Sequence, residues 1–265
     1  MTRRRIQERF AKTKAENRAA LVTFIMGGDP DISASEAVLA ALPEAGADII
    51  EIGMPFSDPM ADGPTIQAAG LRALESGATL KHILLMVSRF RTKDPATPII
   101  LMGYYNPIYH YGIADFCADA SQAGADGLII VDLPPEEEAE FKPQAARAGL
   151  ALIRLIAPTS LETRLSLLTR EAEGFIYYIS VAGITGAKSA SAPALHNQVN
   201  ALRSYTKLPI AVGFGVKTPA QAAEIAQFAD AVVVGSALVE VIARAKNPAK
   251  DAAAFVEKLA AGLAK

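Results

Sequence analysis

Residues 48–67 read DIIEIGMPFSDPMADGPTIQ, and the rest of the chain is understood outward from them. They open as a short β-branched run, Asp48-Ile49-Ile50-Glu51-Ile52, of the kind found in strands covered on both faces, as in parallel sheets. Glu51 interrupts that run. Burying a carboxylate costs on the order of several kcal/mol unless it is paired, hydrogen-bonded or kept protonated. A glutamate near the end of a buried strand is therefore a candidate acid or base. The loop that follows carries Ser57, Asp58 and Asp62 between two prolines and Gly63-Pro64, with Thr65 expected to cap the next helix. A long loop stiffened by proline in a compact chain points to function.

On either side the chain alternates. A strand at 21–26 ends at Gly27-Gly28-Asp29-Pro30, and helical spacing over 33–45 stops at Gly46. Helices over 65–75 and 80–91 lead to a strand at 98–102, an aromatic loop Tyr104-Tyr105-Asn106-Pro107, a helix at 113–123 and a strand at 127–131. After Asp132-Leu133-Pro134-Pro135 an acidic-headed helix is predicted, with Glu136, Glu137 and Glu138 complementing its positive end. Strands at 151–156, 174–180, 209–212 and 231–235 alternate with helices at 160–170, 194–205, 218–228 and 236–243. Residues 181–193, rich in Gly, Ala, Ser and Lys, read as a mobile loop. The sequence AGAD occurs at 45–48 and again at 123–126, as a helix-stop, strand-start unit used twice.

No linker or charge run divides these units, so they predict an α/β chain: one (β/α)8 TIM barrel over 1–265. It carries an extra N-terminal helix at 2–15 and a short phosphate-binding helix after strand eight. A net charge of −2 gives no reason to expect nucleic acid or an anionic membrane as partner. No run reaches the roughly 18 apolar residues of a membrane span. Cys117 is the lone cysteine, which excludes an intrachain disulfide and suits a reducing, cytoplasmic setting; it reads as core filler.

In such a barrel the strands' C-terminal ends form the active face. Glu51, Asp62 and Tyr177 are expected there, the last on the same side of its strand as Phe175 and Ile179. Two carboxylates in different surroundings suit acid–base work, the buried one exchanging protons while the wetter one stays ionised. Structural alternatives are an ion pair for Glu51, a turn role for Asp62 and core packing for Tyr177. Gly213-Phe214-Gly215 and Gly235-Ser236 close the last two strands where a phosphate would meet backbone N–H groups, and Gly183 and Gly186 could add donors. The histidines His82, His110 and His196 lack ligand spacing, so no metal is expected. No GxSxG elbow is present and no lysine falls in a predicted strand.

Seven motifs taken together resemble the alpha chain family of tryptophan synthase: TFIMGGDP from Thr23, IEIGMPFSDPMADGPTIQ from Ile50, LMGYYNP from Leu101, VDLPPEE from Val131, YYISVAGITG from Tyr177, GFGV from Gly213 and VVVGSALV from Val232. They run in that family's order across nearly the whole chain. The resemblance implies retro-aldol cleavage of indole-3-glycerol phosphate to indole and glyceraldehyde 3-phosphate. It implies Glu51 as the acid and base, Asp62 at the indole N–H, and Tyr177 lining the site. It further implies phosphate against Gly186, Gly215, Gly235 and Ser236, an indole slot flanked by Phe24, Ile129 and Phe214, and a closing loop that begins at Thr185. The implied partner is a beta chain, in an alpha2beta2 assembly, which carries the pyridoxal phosphate; this chain is expected to hold no cofactor. Contact is expected through Ser57, Asp58 and the 103–111 loop with its exposed aromatics Tyr104, Tyr105 and Tyr109. Val181, where many relatives carry a cation, and the unmatched stretch 188–193 depart from the pattern.

Two other readings compete. One is another phosphate-binding barrel, an epimerase or an indole-glycerol-phosphate synthase, against which stands the lack of strand-borne His, Lys or Cys. The other is a non-catalytic barrel that activates a partner, for which a buried Glu51 has no purpose.

Overall fold

The computed structural model describes residues 3–158, 160, 162–179, 192–213 and 215–263. Its strands are β1 (Ala20–Met26), β2 (Ile49–Gly53), β3 (Ile99–Gly103), β4 (Gly127–Ile130), β5 (Ala151–Leu152), β6 (Arg154–Ile156), β7 (Ile176–Ile179), β8 (Ile210–Gly213) and β9 (Ala231–Val234). Every pairing is parallel, in the order β5-β4-β3-β2-β1-β9-β8-β7-β6. Because β5 and β6 are consecutive pieces of one extended segment, the two edges of the sheet meet and a (β/α)8 barrel closes.

Before, between and after the strands come the helices. These are α1 (Arg3–Ala15), α2 (Ile32–Ala41), α3 (Pro64–Glu75), α4 (Leu80–Arg91), α5 (Tyr105–Tyr111), α6 (Ile113–Ala123), α7 (Lys142–Ala148) and α8 (Glu162–Arg170). The remainder are α9 (Ala192–Arg203), α10 (Pro219–Ala226), α11 (Ser236–Arg244) and α12 (Pro248–Ala261).

Side chains alternate across each strand. Val22, Ile49, Ile100, Ile129, Phe175, Ala211 and Val233 fill the barrel interior, and Ile6 and Phe10 of α1 plug it from below. The intervening residues, such as Ile50, Ile52, Leu101 and Leu128, pack outward against the helices. Cys117 lies in that outer layer, 1% exposed, its thiol pushed up to about 12 by burial.

The strand starts are tied by carboxylates. Asp48 Oδ2 accepts the Leu21 N–H at 2.9 Å and Arg18 Nη1 at 2.5 Å, while Oδ1 accepts from Arg9 of α1. Asp126, fully buried, accepts the Ile99 N–H at 2.8 Å, Arg91 at 2.7 Å and Arg5 of α1 at 2.9 Å. These are the aspartates of the two AGAD repeats. Asp230 repeats the arrangement with the Ile210 N–H and Arg203.

Four local expectations are corrected. The aromatic loop after β3 is helix α5, begun by Tyr105, whose N–H donates to Asp132 at 2.7 Å. Thr65 lies inside α3, and Gly63 is the cap; the Thr65 hydroxyl reaches Glu240 at 3.3 Å instead. The 151–156 strand is broken at Ile153, where its pairing passes from β4 to β7. The acidic-headed helix is a single 3-10 turn, Pro135–Glu137, and Glu138 turns inward to pair with Arg154. A buried arginine needs a counter-charge more than a helix end needs one.

Removing the Asp126 carboxylate strands the mostly buried Arg91 and the Ile99 N–H together. Asp126→Ala is expected to lose about 3–5 kcal/mol in urea unfolding. A loss within experimental error would show that the clamp contributes nothing.

Candidate active site

A cavity of about 150 Å³ opens at the C-terminal ends of β1, β2, β3 and β7 and is closed by the start of α11. Phe24, Asp62, Tyr104, Tyr177, Gly235 and Ser236 line it together with three methionines. Larger hollows exist, one of 440 Å³ at the opposite end of the barrel between α1 and the start of β8. Size is a poor guide here, because the guanidinium groups in that hollow, Arg18 and Arg203, are already paired with Asp48 and Asp230.

Glu51 sits on β2 beside Phe24 of β1 and Ile100 of β3. It shares the inward side of the strand with Ile49, two residues below the Gly53 wall of the cavity. The residue is completely buried, and neither carboxylate oxygen has a hydrogen-bond partner among the described residues. Burial alone pushes its carboxyl up to about 8. At neutral pH Glu51 is thus a carboxylic acid with a proton to give. Its ion-pair alternative has no partner among the described residues.

Asp62 lines the same cavity, half-buried, and burial raises it to about 6, against which a hydrogen bond from Tyr104 acts. It is mostly ionised at neutral pH. Its loop is pinned: the Ala61 N–H donates to the Tyr104 hydroxyl at 3.0 Å, and Gln67 donates to the Asp62 carbonyl at 2.8 Å. Tyr104, 3% exposed, packs against Phe56 with ring centroids 5.5 Å apart. The sequence reading put Tyr104 on a partner surface; it belongs to the cavity, and Tyr109, 60% exposed, is the outward-facing ring. Tyr177 also lines the cavity, its phenol held well above its ordinary range by burial and by the nearby Glu51.

Gly235 caps α11, whose first turn carries no acidic side chain. The opening N–H groups of a helix have no acceptor within it, so they and the dipole present a positive end at the cavity rim. Gly215, at φ +64°, has open space around it and does not line the cavity. Ile129, fully buried in the barrel interior, lies one inward step below Val131, which lines the wall. Thr185, Gly186 and Phe214 lie outside the described residues, as do Gly183 and Val181. Among the described residues no group of His, Cys, Asp and Glu could hold a metal ion. None of the described helices is long and apolar enough to cross a membrane.

The family model for the tryptophan synthase alpha chain matches residues 10–265. This chain belongs to the tryptophan synthase alpha chain family. The family is one of lyases. Among solved structures, the tryptophan synthase alpha subunit of Legionella pneumophila is 40% identical, with a TM-score of 0.92 over 98% of both chains. A structure from Aquifex aeolicus is 38% identical, at TM-score 0.90 over 98% of this chain and 99% of the other. A tryptophan synthase from Mycobacterium tuberculosis, in an aminoacrylate-bound form, is 36% identical, at TM-score 0.89 over 98% of each. The alpha-family fold therefore extends over nearly the whole chain.

For Glu51 the sign of the pH effect follows from its raised carboxyl. Between about 4.5 and about 8 the folded chain keeps a proton that the unfolded chain has lost, so stability falls as pH rises through that window. Glu51→Gln removes this dependence. Urea unfolding at pH 5, 6.5 and 8 is expected to show the variant gaining on the parent by up to about 1.4 kcal/mol per pH unit. A constant difference would mean that the carboxyl titrates normally.

Proposed function

We propose that this chain cleaves indole-3-glycerol phosphate to indole and glyceraldehyde 3-phosphate, with Glu51 and Asp62 as its catalytic pair. The observation that carries the reading is the contrast between two neighbouring carboxyls, Glu51 buried on β2 beneath the cavity and Asp62 in its wall, one neutral and one ionised at the same pH. The Glu51 acid gives its proton to the ring carbon that bears the side chain. The ring becomes a cation at nitrogen, and the Asp62 carboxylate accepts the N–H and stabilises the charge. The Glu51 carboxylate then takes the proton of the adjacent side-chain hydroxyl. The carbon–carbon bond breaks as the aldehyde forms, and the electron pair returns to the ring to give neutral indole. Glu51 ends as it began, protonated.

Tyr177 walls the ring beside Glu51, and Phe24 offers an apolar face to it. The phosphate lies at the head of α11, against Gly235 and Ser236, with Gly215 and Gly186 as further donors and Phe214 and Thr185 completing the closed site. The same reading makes the chain one domain and the alpha subunit of an alpha2beta2 assembly in the cytoplasm. Pyridoxal phosphate belongs to the beta partner, to which indole passes. The exposed Ser57, Asp58, Met60 and Tyr109 supply a contact surface beside the cavity.

Purified protein given indole-3-glycerol phosphate is expected to release indole. Glu51→Gln should lower kcat by about 10³-fold or more while binding persists, and Asp62→Asn by about 10²-fold. Near-parental turnover by Glu51→Gln would remove Glu51 as the proton carrier. The kcat/KM profile is expected to fall below about pH 6, where Asp62 gains a proton, and above about pH 8, where Glu51 loses one. A profile flat from pH 5 to 9 would contradict both assignments.

A further inference from the structure

Three methionines take one side of the cavity: Met26 at the end of β1, Met54 directly after β2, and Met102 in β3. Two of their tips lie over strand-end glycines. A β-carbon at Gly53 would come within 2.6 Å of Phe24 Cζ and 3.0 Å of Met26 Cε and Sδ, and one at Gly103 within 2.8 Å of Met54 Cε. Met26, together with Phe24, and Met54 therefore fill the room that side chains at Gly53 and Gly103 would otherwise take.

The cavity they border holds about 150 Å³. Sites for small molecules begin at roughly 300 Å³. A bicyclic ring carrying a phosphorylated side chain thus needs part of the wall to yield. Most of the wall is ill suited to that. Tyr104 is held by the Ala61 N–H and by Phe56, and Ile66 and Val131 are β-branched and stiff about their first torsion. Methionine is unbranched, has three side-chain torsions, and makes favourable sulfur contacts with aromatic rings. The yielding part of the wall thus lies in the same small cavity as the aromatic faces of Phe24 and Tyr177.

We propose that Met26, Met54 and Met102 form a deformable wall that opens to admit the ring and sets which substituted indoles the site accepts. The inference rests on the reading that the cavity receives an indole. It adds that specificity on the ring carbons is loose, because thioethers repack where branched residues would clash.

The chain has six methionines and no tryptophan, so ε-methyl signals can be assigned and indole fluorescence has no protein tryptophan background. With ¹³C-methyl methionine in the full chain, indole is expected to shift the Met26, Met54 and Met102 signals saturably. Met86, buried in the outer layer on α4, should stay still. In the condensing direction, with glyceraldehyde 3-phosphate, 5- and 6-methylindole should react within roughly 10-fold of indole, the low end of what one extra carbon costs in a rigid pocket. Replacing all three methionines by leucine keeps the volume but stiffens the wall. That variant should discriminate between indole and the methylated rings at least about 10-fold more strongly than the parent.

Should the triple variant not fold, Met54→Leu and Met102→Leu singly carry the same comparison. Indole turnover without methyl shifts would overturn the deformable wall and leave the lyase reading standing. An unchanged preference between parent and leucine variants would also overturn it. Absence of both indole binding and turnover would sink the two together.

Discussion

A closed parallel sheet has no hairpins, so each strand must be fixed to a neighbour whose chain passes through a helix before returning. In this barrel the tie is a carboxylate at a strand start. Asp48, Asp126 and Asp230 each accept the first free N–H of the strand beside them and each hold at least one arginine. Arg5 and Arg9 extend the same ties to α1, which plugs the lower end with Ile6 and Phe10.

The barrel thereby separates two uses of the same functional group. At the lower end the buried carboxylates of Asp48 and Asp126 each accept from backbone N–H and arginine donors. At the upper end Glu51 is equally buried and has no donor among the described residues. Its charge is costly, so it retains a proton. The contrast lies in the neighbours: the lower end has arginines from α1 and α4, whereas among the described residues no donor reaches Glu51. Stability is given up at one end for a proton held in readiness at the other.

Asp62 occupies the middle ground. A proline-stiffened loop brings it over the cavity, and Tyr104 fastens both its backbone neighbour and its carboxylate. Across the same small space stand the thioethers of Met26, Met54 and Met102. On the proposed reading, fixed proton donors and an adaptable apolar surface are compatible, since the chemistry needs position at two atoms and the ring needs only contact.

The alternation of strand and helix, the barrel, Glu51 in a buried strand and Asp62 in a long loop were legible in the sequence. They depend on local period and on the cost of burying charge, which each segment carries in itself. The AGAD repeat was visible as a pattern; that its aspartates bind the preceding strand's N–H groups was not. Nor could the chain alone put Tyr104 in the cavity, send Glu138 to Arg154, set Val131 in the wall above Ile129, or gather Met26, Met54 and Met102 on one side. Those outcomes join residues tens of positions apart, or turn on a single step along a strand. Only closure of the barrel, which fixes the stagger of every strand against the next, decides which side chains end at the same height and therefore meet.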